Sequence, residues 1–194
     1  MSVYDDISIV YDCGMLPLEW LVLRRLRRRL FPHLRGDVLE LGVGTGVNLS
    51  LYGPEARVVA CDASGQVLKQ AARRRLQARV RFVQADAQRL PFASGSFAAT
   101  TASLLFCSVR DPVQGLREAR RVLRRDGRLV LLEHTRGSGL GGLLTRLLDP
   151  LWRVWSRECH LDRETTHHVV EAGFTLQRME QHWLGIVRII EATA

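Results

Sequence analysis

Lysine is almost missing from this chain. Of its 28 basic residues only Lys69 is not arginine, and against 20 acidic residues they leave a formal charge of +8. No uninterrupted apolar run reaches eighteen residues, which excludes a simple transmembrane helix. The opening MSVYDDISIVYD has no basic start followed by an apolar stretch, so a secretory signal is not expected. Cysteine is sparse as well: Cys13, Cys61, Cys107 and Cys159 lie far apart with no CxxC pair. That pattern excludes a disulfide scaffold and reads as reduced thiols in a cytoplasmic protein. No Cys and His share a zinc-ligand spacing, so no metal is expected. What remains is 194 residues, 46% of them hydrophobic, enough for one globular domain without a covalent or metal staple.

The charge invites nucleic acid or an anionic membrane as partner. The alternative is arginine spread over solvated faces through coding bias. Two places are denser: Arg24, Arg25, Arg27, Arg28 and Arg29, and Arg73, Arg74 and Arg75. Neither is interleaved with aromatic residues as a stacking platform for single strands would be. Nucleic acid is therefore not expected, and peripheral contact with an anionic membrane stays open.

Residues 16–34 place Leu16, Trp20, Leu23, Leu26 and Leu30 on one helical face, with Arg24, Arg25 and Arg28 elsewhere. Pro32 and Gly36 end that segment. Strand-like runs follow at 37–43, 56–62, 80–86, 97–108 and 127–135, separated by helix-like stretches such as 64–78 and 112–125. Such alternation implies a parallel sheet covered on both faces, a doubly wound α/β fold. Gly127, after Asp126, sits where a left-handed residue would stop the second helix. Beyond GSGLGG (137–142) come a helical patch at 143–155, a helix and turn at 164–174, and strands at 175–183 and 185–194. The chain divides into an N-terminal helical cap (1–35), a core (36–136), a helical insertion (137–170) and a terminal strand pair (171–194).

The strongest motif is Glu40-Leu-Gly-Val-Gly-Thr-Gly46, at the turn after the first strand. Gly42, Gly44 and Gly46 allow a sharp bend and close approach to a ligand. Alone the motif is weak, because dinucleotide sites also place glycines there, although with GxGxxG spacing. Asp62 ends the second strand twenty residues after Gly42, where a carboxylate can accept from both ribose hydroxyls. Its competing role is a helix N-cap, for which Ser64 is also suited. Asp86 and Ala87 end the third strand, where a carboxylate can accept from an exocyclic amine, with Leu90 and Phe92 as apolar neighbours; the competing role is again a cap or turn. Together these features describe a nucleoside site along the carboxyl edge of the sheet.

ELGVGTG, CDAS, ADAQRLPF and LREARRVLRRDGRLVLLEH resemble, in order and spacing, the class I S-adenosylmethionine-dependent methyltransferases of type 11. The resemblance implies a Rossmann-like seven-stranded sheet with an antiparallel last strand, and S-adenosyl-L-methionine as cofactor. It implies that Glu40 and the loop from Gly42 to Gly46 lie near the methionine moiety, Asp62 with Ala63 at the ribose, and Asp86 with Ala87 at the adenine. Leu104 or Phe106 would lie below the sulfonium. GTGVNLSLY, LLFCSV, LEH, LLDPLW and ECHLDRET look like the family whose animal members are membrane-associated alkyl-thiol methyltransferases. The YDDISIVYD start is more similar to ubiquinone and menaquinone methyltransferases or phospholipid N-methyltransferases, in which an early tyrosine covers the cofactor. Tyr11 is the best match to it, with Tyr4 behind. The chain departs from the pattern at Ala98 and Val67 and lacks the animal members' N-terminal anchor.

Methyl transfer needs alignment more than side-chain chemistry, and orientation can lower a barrier by ~7–11 kcal/mol. A thiol of pKa near 8.5 is partly thiolate at neutral pH and needs little help. His134, at the end of the fifth strand beside Glu133, is the leading candidate base, and His160 follows. His134 could instead be satisfied by backbone groups near its turn. His33, His167 and His168 read as surface residues, and Cys107 and Cys159 as small apolar packing. Trp20, Leu23, Leu147, Leu148, Trp152 and Trp155 either pack on the core or border a hydrophobic acceptor. The acceptor expected is a small molecule or lipid: a thiol, a quinol or a lipid amine. Other classes are a phospholipid N-methyltransferase, a nicotinamide oxidoreductase, or a non-catalytic membrane-adhering module that binds the donor.

Overall fold

The computed structural model describes residues 23–156 and 159–194, with the side chains of all of these except 151–156. The readings placed on Tyr4, Tyr11, Leu16 and Trp20 lie outside the described residues, as do those on the side chains of Trp152 and Trp155. The elements in order are α1 (Arg24–Leu30), β1 (Gly36–Leu41), β2 (Ala56–Asp62), α2 (Gly65–Ala71), β3 (Arg79–Gln84), β4 (Phe97–Ser103), α3 (Pro112–Val122), β5 (Leu123–His134), α4 (Leu140–Ser156), α5 (Thr165–Glu171), β6 (Thr175–His182) and β7 (Val187–Thr193).

The seven strands form one sheet of order β3-β2-β1-β4-β5-β7-β6. The first five are parallel, and β7 runs antiparallel to both β5 and β6. This is the doubly wound, mostly parallel sheet that the sequence led us to expect. Its strand order reverses between β1 and β4, which puts a ligand crevice outside their carboxyl ends. The central strands read as continuous apolar runs because neighbouring residues serve opposite layers. Leu39 and Leu131 join Leu116 of α3 and Val169 of α5 in one core. Val38 and Val130 join Phe31, Tyr52 and Leu68 in another. At the edge, β6 is polar and mostly exposed, which keeps it from pairing with a further strand.

Two local expectations give way, and a third point on which the sequence left two readings loses one of them. The fourth strand stops at Ser103 rather than running to 108, because Leu104 turns left-handed at φ 55°. Gly127 does not stop α3, which ends at Val122; it has no positive φ and lies inside β5. A Cβ there would stand 2.9 Å from the Arg124 carbonyl oxygen, so glycine permits a tight bend where the pairing with β4 shifts.

The third concerns α4. Packing on the core would bury its leucines, yet the helix buries Gly141, Thr145 and Asp149. Leu140, Leu143, Leu144, Leu147 and Leu148 are exposed, Leu147 at 69%. The spacing of i, i+3, i+4 and i+7 puts these leucines on one apolar face turned to solvent.

Candidate functional site

Three connections meet at the carboxyl edge: the glycine loop after β1, the short turn after β2, and the loop after β4. In the first, Gly42, Gly44 and Gly46 all have positive φ. A Cβ at Gly44 would meet nothing within 4 Å, so that stretch of backbone borders open space. The Asp62 carboxylate pins the loop. Its Oδ2 accepts the Gly44 N–H at 3.0 Å and its Oδ1 accepts the Ser64 N–H at 3.0 Å. Ser64 itself is the N-cap of α2, its Oγ accepting from the Val67 N–H. Asp62 therefore does not cap the helix; Ser64 does.

Behind the loop lies a polar chain that the sequence reading missed in part. Glu40 is buried, and its Oε1 accepts from Asn48 Nδ2 at 2.7 Å. Asn48 also donates to Ser103 Oγ at 3.2 Å, and its Oδ1 accepts from the Arg27 guanidinium. Burial pushes the Glu40 carboxyl up to about 7, although the Asn48 amide and the Arg27 charge both pull it down. Glu40 Oε2 has no hydrogen-bond partner within ordinary geometry among the described residues, although the Tyr52 hydroxyl also pulls the carboxyl down. Arg27 is thus not part of an exposed basic cluster. Its position, four after Leu23 and three before Leu30, already put it on the apolar face of α1, a signal that the arginine count obscured.

At the third strand the competing role prevails locally. Asp86 Oδ1 accepts from the Gln88 N–H at 2.8 Å and from Gln88 Nε2 at 3.1 Å, closing a turn. Leu90 belongs to the main core and Phe92 packs edge-on against Phe97, so neither flanks Asp86 as a free apolar wall. Ala63 and Ala87 stand beside the two carboxylates; the Ala63 carbonyl accepts from Gln84 Nε2 at 2.9 Å. Phe106 is fully buried in the core, which leaves Leu104, half-buried, as the residue of that pair at the edge.

These connections bring glycine backbone and two carboxylates to one edge of the sheet, and the chain as a whole is similar to known proteins. The chain matches the family described as Methyltransferase domain over residues 39–131. It is 34% identical to the Thiol S-methyltransferase TMT1B of Rattus norvegicus over 170 residues, covering 79% of this chain and 69% of the relative. The chain belongs to the S-adenosylmethionine-dependent methyltransferases. A Demethylmenaquinone methyltransferase of Paenarthrobacter aurescens is 34% identical over 157 residues, 78% of this chain and 57% of its own. Among solved structures, a SAM-dependent methyltransferase of Thermotoga maritima superposes with a TM-score of 0.75 at 22% identity, over 98% of this chain and 97% of that one.

The residues of this methyltransferase suit the donor that its family implies. The backbone at Gly44 is open, and the Asp62 and Glu40 carboxylates are of the acceptor chemistry that ribose hydroxyls and an ammonium group call for. His134 is buried at 2% exposure, and neither ring nitrogen has a hydrogen-bond partner among the described residues. Backbone groups do not satisfy it, contrary to one of its two readings. His33 and His167 are exposed and His168 is half-buried. Cys107 and Cys159 are buried. His160 donates its backbone N–H to the Cys107 carbonyl at 3.0 Å. Its ring approaches Asp149 and Asp162, the three ligand-type atoms lying within 4.8 Å of one another. Asp149 Oδ1 also accepts the Leu161 N–H at 2.8 Å, which fastens this strap to α4.

Proposed function

We propose that this methyltransferase moves the methyl group of S-adenosylmethionine to the sulfur of a small lipophilic thiol. The observation that carries the choice of thiol is the reach of the match: the chain spans 69% of the thiol enzyme's length and 57% of the demethylmenaquinone enzyme's. Chemistry agrees, because a thiol is the acceptor that asks least of a base. When bound, the donor supplies an already activated methyl on a sulfonium. The chain's residues then do five things. Asp62 and the N–H groups around it would fix the ribose, and Glu40 with Asn48 and Arg27 would fix the charged tail. Asp86, on leaving Gln88, and Ala87 would border the adenine. His134, whose ring nitrogens have no hydrogen-bond partner among the described residues, would take the acceptor's proton, and Tyr11 would close the site from the N-terminal side.

The acceptor's lipophilicity is supported by α4. A helix that buries glycine, threonine and aspartate while exposing five leucines has its apolar face toward something other than its own core. Trp183 and Leu184, at 53% and 64% exposure, extend that face on the β6–β7 turn, and the Leu184 carbonyl accepts the Ser138 N–H at 2.9 Å just before α4. Exposed Arg24, Arg25, Arg28 and Arg146 add positive charge. Leucine, tryptophan and arginine in this combination suit reversible contact with an anionic bilayer, from which a lipophilic acceptor can be drawn. No helix of the described residues is long and apolar enough to cross a membrane.

Labelled donor offered with alkyl thiols, quinols, amines and phospholipids tests the acceptor; label on the thiol is the expected outcome. Label on a quinol carbon instead would favour the quinone reading, and no label on any acceptor the binding-module reading. In a parallel assay, anionic liposomes at low salt should co-sediment the wild type but release Leu143→Glu/Leu147→Glu. Wild-type protein left wholly in the supernatant would remove the membrane.

A further inference from the structure

Glu133, next to last in β5, is fully buried. Its Oε1 accepts two consecutive backbone N–H groups, from Leu105 and Phe106, each at 3.0 Å; Oε2 has no hydrogen-bond partner among the described residues. The donors belong to the loop after β4. That loop begins with the Leu104 N–H on the Leu132 carbonyl at 2.8 Å and then turns through the left-handed φ of Leu104. Successive N–H groups after such a turn make a small anion-binding concavity, here filled by the chain's own carboxylate. The same loop touches the donor side. A Cβ on Gly42 would stand 2.6 Å from Leu105 Cδ1, so the Leu105 side chain lies directly on the first glycine of the cofactor loop. Phe106, next along, is locked in the core.

We propose that Glu133 is a positioning residue for methyl transfer: its carboxylate holds the Leu104–Phe106 loop against Gly42 and so sets the wall beside the donor's sulfonium. This rests on the methyltransferase reading of the edge. Glu133 touches no reacting atom in this scheme. It acts through backbone N–H groups of the loop, those of Leu105 and Phe106 with a weaker pull from Cys107, and through one leucine side chain.

The groups facing Glu133 are few. Cys107 lies on the same loop, and Cys159 comes from the strap after α4. Burial pushes the Glu133 carboxyl up to about 7, against the pull of the Phe106 and Leu105 N–H groups. The adjacent Cys159 thiol, together with burial, pushes Cys107 well up, so its thiol adds no charge near neutrality. Arg188 stands opposite on β7, but its guanidinium donates to Thr166 Oγ1 and to the Arg136 carbonyl, both at 3.2 Å. The grip on the loop is therefore charge-assisted above neutral pH and weaker below it.

The test compares the wild type with Glu133→Gln and Glu133→Ala. Gln keeps an acceptor oxygen for both N–H groups but does not titrate. Calorimetry with S-adenosylhomocysteine is read at pH 8, above the range in which Glu133 and Glu40 both titrate. Glu133→Gln should bind within about threefold of wild type at pH 8, and Glu133→Ala should bind roughly tenfold more weakly, as expected when buried donors lose their acceptor. In ¹⁵N-labelled wild type the Leu105 and Phe106 amide signals should titrate with a midpoint of about 7 and stop doing so in Glu133→Gln. The amide titration needs neither donor nor acceptor, so it judges the latch even if the methyltransferase reading of the edge fails, and it stands if Glu133→Ala does not fold. Wild-type affinity at pH 8 in Glu133→Ala, or amides indifferent to the substitution, would overturn the proposal.

Discussion

Replacing Asp62 by alanine is expected to weaken S-adenosylhomocysteine binding at least tenfold, an effect of ~1.4 kcal/mol. The expectation has two sources. The carboxylate accepts the N–H groups of Gly44 and Ser64, so its removal frees the glycine loop from the turn after β2. It also removes the acceptor proposed for the ribose. The two can be separated with a ligand lacking the ribose hydroxyls. Wild type should prefer the intact nucleoside over its 2′,3′-dideoxy analogue, whereas Asp62→Ala should bind both alike. Equal affinity of the wild type for the two would limit Asp62 to loop support, and an unchanged affinity in Asp62→Ala would refute its part in binding altogether.

The legible part of this molecule was the part built from short-range rules. Glycines after β1, an acidic residue ending β2 and the alternation of runs along 36–136 each follow from local backbone geometry, and the sheet bears them out. Ser64 and Asp62 competed for one helix cap, and the hydroxyl won because it sits one residue before Gly65, where the Val67 N–H is in reach. What could not be read depended on contacts between distant segments. Arg27 meets Asn48 across 21 residues, and the Glu133 carboxylate meets the Leu105 and Phe106 N–H groups across 28 and 27. In sequence Arg27 is one arginine among five, and Glu133 only a neighbour of His134. The α4 leucines show the opposite error. Helical spacing identified an apolar face, but nothing in the spacing says whether such a face turns inward. Thr145 and Asp149 decide that, because the Asp149 carboxylate takes the Leu161 N–H and pulls the polar side onto the strap.

The largest stability effect is expected at Gly46, and a contrast with Gly44 separates folding from binding. Both have positive φ, 78° and 55°, where a side chain costs roughly 1–2 kcal/mol. Their surroundings differ. A Cβ at Gly46 would lie 3.0 Å from Ala71 Cβ and 3.2 Å from Ala71 Cα, with Leu49 Cδ1 also at 3.2 Å. Ala71 is buried at the end of α2, so relief requires moving helix backbone rather than rotating a side chain. Overpacking of that kind adds about 1–3 kcal/mol. Gly46→Ala should therefore lower the urea midpoint clearly and abolish measurable S-adenosylhomocysteine binding with it, since α2 carries the Ser64 cap beside Asp62. Gly44→Ala meets no atom within 4 Å. It should lose only the backbone term in stability, while its methyl enters the space proposed for the donor and weakens binding out of proportion. Equal urea midpoints for the two variants would contradict the packing of the loop against α2. Equal and undiminished affinities would contradict the placement of the donor over Gly44.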